Sequence, residues 1–165
     1  MKIKNTKLSD VYMVIPDDFE DYRGSFTEVY NVNKYRSSGL IANFVQDDLS
    51  ISYRNVLRGL HGDEGTYKLV SCIVGRIYLV VLNYNNKSKE YGKWQSFILT
   101  EDNKRQIFIP PLFVNGYYVL SDKAVFSYKQ SSYYGEYKQF SVKWNDSRFN
   151  IDWPCNHPIL SLRDR

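Results

Sequence analysis

His61 closes the run VLRGLH and is one of only two histidines in the chain, the other being His157. An imidazole, with an ordinary pKa of about 6.5, suits the removal of a proton at neutral pH. A carbon next to a keto group is acidic enough for such a base. Inverting that carbon needs one proton removed from one face, another returned to the opposite face, and something to hold the enolate oxygen between the two steps. A carboxylate behind the histidine would fix its tautomer and stabilise the imidazolium, and a tyrosine could serve as the acid across a cavity. The scarcity of histidine also argues against a metal mechanism. One chain with two histidines cannot build a three-histidine site, and no Cys/His spacing resembles a zinc motif. A carboxylate-only site stays open. Read alone, the VLRGLH fragment fits a structural histidine better than a catalytic one. Arg58 and His61, three residues apart, would face opposite sides of a regular strand, and only a bulge at Gly59 would bring them to one side.

The elements that would position these residues are mostly strands. The runs VYMVI, SFTEVY, NFVQDDLSIS, VLRGLH, YKLVSCIVG, RIYLVVLNY, WQSFILT, RQIFIP, YYVLS and AVFSYKQ are β-branched, aromatic or alternating. Between them lie the polar or Gly/Pro-containing stretches DDFEDYRG, GDEG, NYNNKSKEYG, TEDNK and PPLFVNG, which read as turns. Regular spacing of short strands predicts an antiparallel sandwich or barrel. The best helix candidate is residues 31–43, with Asn31 or Asn33 as cap and Gly39 as terminator. The C-terminal stretch WNDSRFNIDWPCNHPILSLRDR is irregular. Fifteen Tyr, nine Phe and three Trp fit an aromatic β core or a lined cavity. No repeat or linker divides residues 1–165, so one domain is expected.

Charge and cysteine content exclude several classes. A net charge of +4 with well-mixed signs lacks the clustering of a nucleic-acid binder and suits an anionic small ligand such as a nucleoside diphosphate. Cys72 and Cys155 do not make a disulfide framework, and Cys72, within KLVSCIVG, is expected to be a buried small hydrophobe. The N-terminal MKIKNTKLSD lacks a secretory core and no run reaches membrane-spanning length, so a cytoplasmic protein with no membrane partner is expected.

Seven segments carry, in order, a resemblance across nearly the whole chain: DYRGSFTEVY, FVQDDLSIS, NVLRGLH, YKLVSCIVGRIYLVVLNY, YGKWQSFILTEDNKRQIFIP, VLSDKAVFSYKQSSYY and ILSLRDR. LRGLH followed by KLV, with a terminal LSxRD, is specific in combination. The chain resembles the RmlC-type dTDP-4-dehydrorhamnose 3,5-epimerase family. The resemblance implies an all-β, cupin-like double-stranded β-helix (jelly-roll) barrel with few short helices, and cofactor-independent epimerisation. It implies His61 as general base, Asp164 as its paired carboxylate, Tyr128 as general acid and Lys68 as enolate stabiliser. It also implies substrate contacts from Arg58, Gln46, Asp48 and Tyr134. Arg23, Phe26 and Glu28, in an RGxFxE pattern, would reach the neighbouring subunit's site in a homodimer that exchanges N-terminal strands.

The chain departs from the family pattern at three places. GLHGD stands for the usual GLHYQ, LFVNGY for GFAHGF, and QDD for QDN. Asn115 thereby replaces a second active-site histidine and contributes a neutral amide. Asp48 suits the amino group of guanine, a donor that thymine lacks. These departures favour a surface-polysaccharide (capsular) branch acting on a GDP-linked 4-keto-heptose, with a dTDP-4-keto-6-deoxyhexose next, inverted at C3 and, if the intermediate reorients, at C5. The rivals are a sugar-nucleotide 3,4-ketoisomerase, which the lack of a close histidine pair disfavours, and a catalytically degenerate sugar-nucleotide-binding cupin.

Overall fold

The computed structural model describes residues 1–165. The chain opens with strands β1 (Lys2–Asn5) and β2 (Tyr12–Ile15), a hairpin of β3 (Asp18–Asp21) and β4 (Gly24–Thr27), and one helix, α1 (Val32–Ser37). Eight longer or central strands follow: β5 (Gln46–Tyr53), β6 (Leu57–Asp63), β7 (Lys68–Val74), β8 (Arg76–Asn83), β9 (Trp94–Thr100), β10 (Gln106–Ile109), β11 (Phe113–Val119) and β12 (Lys123–Gln130). A short β13 (Gln139–Ser141) precedes the irregular C-terminal stretch. They form a six-stranded sheet ordered β1-β2-β10-β7-β12-β5 and a five-stranded sheet ordered β13-β6-β11-β8-β9. Every pairing within these sheets is antiparallel. The all-β, jelly-roll class expected from the sequence is therefore the class observed.

Side-chain alternation assembles the layers. Val70, Cys72, Ile107, Ile109 and Phe126 from the six-stranded sheet pack with Leu79, Val81, Phe97 and Tyr117 from the five-stranded sheet. Strand β8 is apolar on both faces because its outer residues, Val80 and Leu82, pack under Phe149 and Trp153 of the C-terminal stretch. On the far side of the six-stranded sheet, Tyr35 of α1 and Leu40 cover Leu69 and Phe108. Helix α1 is short and is held at its start by Asn31, whose side chain accepts from the backbone N–H groups of Asn33 and Lys34. Its end is closed by Gly39 at φ +86°.

The sequence misplaces three boundaries. PPLFVNG reads as a turn because Asn-Gly is a turn signal, yet Phe113–Gly116 begins β11, where pairing to both β6 and β8 outweighs local preference. DDFEDYRG reads as a polar turn but forms most of the β3–β4 hairpin, which stands apart from both main sheets. SFTEVY reads as a half-buried strand, but its extended part, in β4, is largely exposed.

Strand β6 contains the irregularity that the site depends on. Asn115 pairs with His61 and Tyr117 pairs with Arg58, so three steps along β6 match two along β11. The extra residue restores Arg58 and His61 to one side, as a bulge at Gly59 requires. Gly59 sits at φ +115°, and a Cβ there would lie 2.5 Å from the Gly116 Cα and 2.8 Å from the Asn115 carbonyl oxygen. Glycine is needed for both the backbone angle and the close approach. Gly59→Ala is expected to lose about 2 kcal/mol or more of stability, read as a lower urea midpoint at unchanged slope.

Candidate active site

The two sheets open at one end into a cavity of about 300 Å³. The five-stranded sheet supplies Arg58, His61 and Asp63 from β6 and Asn115 from β11, and the six-stranded sheet supplies Lys68 from β7 and Tyr128 and Gln130 from β12. Tyr134, Gln139, Ser161, Arg163 and Asp164 complete the rim.

His61 is held at both ring nitrogens. Its Nε2 lies 2.7 Å from Asp164 Oδ1, and its Nδ1 lies 3.1 Å from the Ser141 hydroxyl on β13. An ionised carboxylate only accepts, so Nε2 carries the proton and Nδ1 carries the lone pair toward Ser141. Asp164 is buried, and its Oδ2 accepts from the Ser161 hydroxyl at 2.9 Å. Backbone pairing brings it there: the Leu57 N–H donates to the Ile159 carbonyl at 3.0 Å and the Ile159 N–H to the Asn55 carbonyl at 2.8 Å. A segment that would otherwise fray is thereby docked beside the start of β6.

Opposite His61, Tyr128 projects from the other sheet with its ring against Phe126, the centroids 5.5 Å apart. Arg58 is steadied by donating from Nε to the Ser52 hydroxyl at 2.8 Å, and Ser52 in turn contacts the Tyr117 hydroxyl at 3.1 Å. Asn115 lies directly across from His61 in the β6–β11 register.

The electrostatics suit proton transfer at neutral pH. Burial, then the nearby positive charge of Arg163, lower the His61 pKa below the ordinary 6.5 against the pull of Asp164. The imidazole is therefore a free base at pH 7. Burial, then the negative charge of Asp48, raise the Tyr128 pKa above 10 and keep its phenol protonated. No group of three His, Cys, Asp or Glu side chains is placed to hold a metal ion.

Of the residues expected from the sequence, His61, Asp164, Tyr128, Lys68, Arg58, Asn115 and Tyr134 meet in this cavity. Gln46 and Asp48 sit just behind it. Asp48 Oδ2 accepts from the side-chain amides of Gln46 at 2.7 Å and Gln130 at 2.8 Å, and Gln46 Oε1 accepts from the Tyr134 backbone at 3.0 Å. Arg23, Phe26 and Glu28 do not line the cavity of their own chain. Arg23 pairs with Asp21 at 2.6 Å across the hairpin turn, Glu28 pairs with Lys34 at 2.8 Å, and Phe26 is 71 % exposed. Arg163 and Ser141 were not anticipated. Arg163 had a signal, since it immediately precedes Asp164, whereas Ser141 reaches His61 only through the β13–β6 pairing.

The cavity of this jelly roll thus sets a carboxylate-backed histidine opposite a protonated tyrosine. The model of the dTDP-4-dehydrorhamnose 3,5-epimerase family matches residues 5–165, and the chain belongs to that family. The dTDP-4-dehydrorhamnose 3,5-epimerase of Escherichia coli K12 is 41% identical over 169 residues, covering 99% of this chain and 91% of that protein. The crystal structure of the Elizabethkingia anophelis dTDP-4-dehydrorhamnose 3,5-epimerase superposes with a TM-score of 0.91 at 43% identity, covering 99% of this chain and 93% of that one. The Legionella pneumophila RmlC structure, in complex with dTDP-4-keto-L-rhamnose, gives 0.93 at 37% identity, covering 99% and 89%.

Because a lowered His61 pKa extends the free base to lower pH, the acid limb of kcat/KM is expected to fall below pH 6.5. Arg163→Gln removes a charge that opposes the imidazolium, so it should move that limb upward. Tyr128 should contribute no alkaline limb below pH 10.

Proposed function

We propose that this chain epimerises a nucleoside-diphosphate 4-keto sugar at C3, and at C5 when the intermediate turns over in the cavity. The observation that carries the proposal is the opposition of the His61–Asp164 pair and Tyr128 across one cavity. His61 Nδ1 takes the proton from the carbon beside the C4 carbonyl, and Asp164 stabilises the imidazolium that forms. The electron pair moves to the C4 oxygen as an enolate. Lys68 and the Asn115 amide are the cavity donors for that oxygen. Tyr128 returns a proton to the opposite face. Arg58, Tyr134 and Arg163 bind the nucleoside diphosphate, for which planar guanidinium groups suit the phosphates.

The relatives' names support a dTDP-linked 4-keto-6-deoxyhexose as the substrate. A second substrate, GDP-linked 4-keto-heptose, is favoured by Asp48: it pairs with Tyr128 in the β5–β12 register and uses only Oδ2 for Gln46 and Gln130. Its other oxygen suits the guanine amino group.

Incubation with dTDP- and GDP-linked 4-keto sugars in deuterated water, followed by NMR at C3 and C5, tests these assignments. The preferred nucleotide is the one whose sugar exchanges faster, and deuterium at C3 alone restricts the reaction to that carbon. His61→Ala should slow all exchange by about 10²–10⁴-fold. Tyr128→Phe should exchange without inverting. A carbonyl moved from C4 to C3 would identify a ketoisomerase, and tight binding without any exchange would identify a binding protein.

A C2 homodimer completes the proposal. The β3–β4 hairpin exposes Phe19, Tyr22 and Phe26, and edge strand β5 exposes Leu49, Ile51 and Tyr53. Such apolar surface next to an unpaired strand edge favours association. The hairpin would deliver Arg23, Phe26 and Glu28 to the partner's cavity. Mixing unfolded Arg23→Ala and His61→Ala proteins and refolding them together should then recover activity that neither shows alone. No recovery would place each site within one chain.

A further inference from the structure

Asp63 and Lys68 flank the tight turn that joins β6 to β7, and Asp63 has no part yet in the scheme above. Asp63 is buried, with 3% of its side chain exposed. Its Oδ1 accepts from the backbone N–H groups of Gly65 at 3.1 Å and Thr66 at 2.7 Å, which anchors the carboxylate to the turn. Its Oδ2 points to Lys68 Nζ at 4.0 Å. That separation is close enough for Coulombic attraction in a shielded place and too long for a hydrogen bond. Lys68, with 14% of its side chain exposed, lines the cavity and has no other ion-pair partner. Its N–H groups are therefore left for a ligand.

The remaining charges around Lys68 oppose or ignore it. Arg163, from the C-terminal segment, repels it, and burial lowers its pKa, while Asp63 raises it. His61 on β6 is neutral at pH 7, Tyr128 on β12 is protonated, and Asp164 is committed to His61 and Ser161. Arg58, also on β6, adds positive charge to the same cavity. Asn115, the other cavity donor near His61, carries no charge. Without Asp63, burial and the repulsion from Arg163 would favour loss of the Lys68 proton.

We propose that Asp63 is a positioning residue that keeps the Lys68 ammonium charged and its N–H groups free to receive the enolate oxygen. The inference rests on the epimerase scheme above and specifies which cation serves it. As the proton leaves carbon for His61 Nδ1, negative charge gathers on the C4 oxygen and lies against Lys68, with Asp63 held back by its turn.

The test separates this inference from the epimerase scheme by titrating Lys68 directly. Full-length protein carrying ¹³C- and ¹⁵N-labelled lysine, with the Lys68 signal assigned by Lys68→Arg, is titrated by NMR without substrate. Wild-type Lys68 should be charged at pH 7. Asp63→Asn keeps an oxygen for Gly65 and Thr66 but removes the charge facing Lys68, and should lower the Lys68 titration by about one pH unit or more. In deuterated water the same variant should slow exchange at C3 about fivefold or more at one pH unit above its own Lys68 midpoint. The ratio of variant to wild-type rate should rise as pH falls and Lys68 regains its proton, which a merely distorted turn would not produce. A Lys68 titration unmoved by Asp63→Asn overturns the proposal. So does a neutral Lys68 at pH 7 in the wild type, a result that stands even if the variant fails to fold. Wild-type protein that exchanges no 4-keto sugar would instead overturn the epimerase scheme and leave the Lys68 titration readable.

Discussion

The site depends on the contact between Gly59 and Gly116. Strands β6 and β11 approach there more closely than any side chain allows, and β6 takes one extra residue in the process. The local cost is a backbone angle that only glycine adopts readily. The consequence is that Arg58 and His61, which a regular strand would divide between core and surface, share one cavity. Without that extra residue the base and the guanidinium steadied by Ser52 would lie on opposite faces of the sheet.

The layers around this contact divide the labour. The inner core holds the two sheets at a fixed separation, so the wall bearing His61 and the wall bearing Tyr128 keep their distance. The C-terminal stretch does two jobs at once. Phe149 and Trp153 cover the outer face of the five-stranded sheet, and the residues beyond them turn back along β6 to place Asp164 behind His61. Packing on a sheet face thereby also fixes the orientation and tautomer of His61.

Electrostatically the cavity carries excess positive charge from Arg58, Lys68 and Arg163 and still contains a neutral imidazole. Burial and Arg163 keep His61 unprotonated, while Asp164 supplies stabilisation only once the proton arrives. The same burial keeps Tyr128 protonated. Opposite protonation states on the two walls follow from one shielded environment, because desolvation disfavours the charged form of each group.

Much of this was legible in the sequence. Alternating aromatic and β-branched runs specify strands, and an apolar run without alternation at β8 signals a strand covered on both faces. Asn31 and Gly39 bracket the helix. The rarity of histidine narrows the base to His61 or His157, and the resemblance to the epimerase family points to His61, Asp164, Tyr128 and Lys68. Other features needed the assembled sheets. Asn-Gly at 115–116 carries a local turn preference that pairing on both sides of β11 overrides. Ser141 stands eighty residues from His61 and meets it only through sheet register. The role of Asp63 depends on which way its second oxygen points. Residue types and periodicity, being local, determined the strands, and the ordered motifs that carry the family resemblance pointed to the candidate chemistry. Only tertiary structure decided which side chains share a cavity, because register, bulge and docking are set by contacts between segments far apart in the chain.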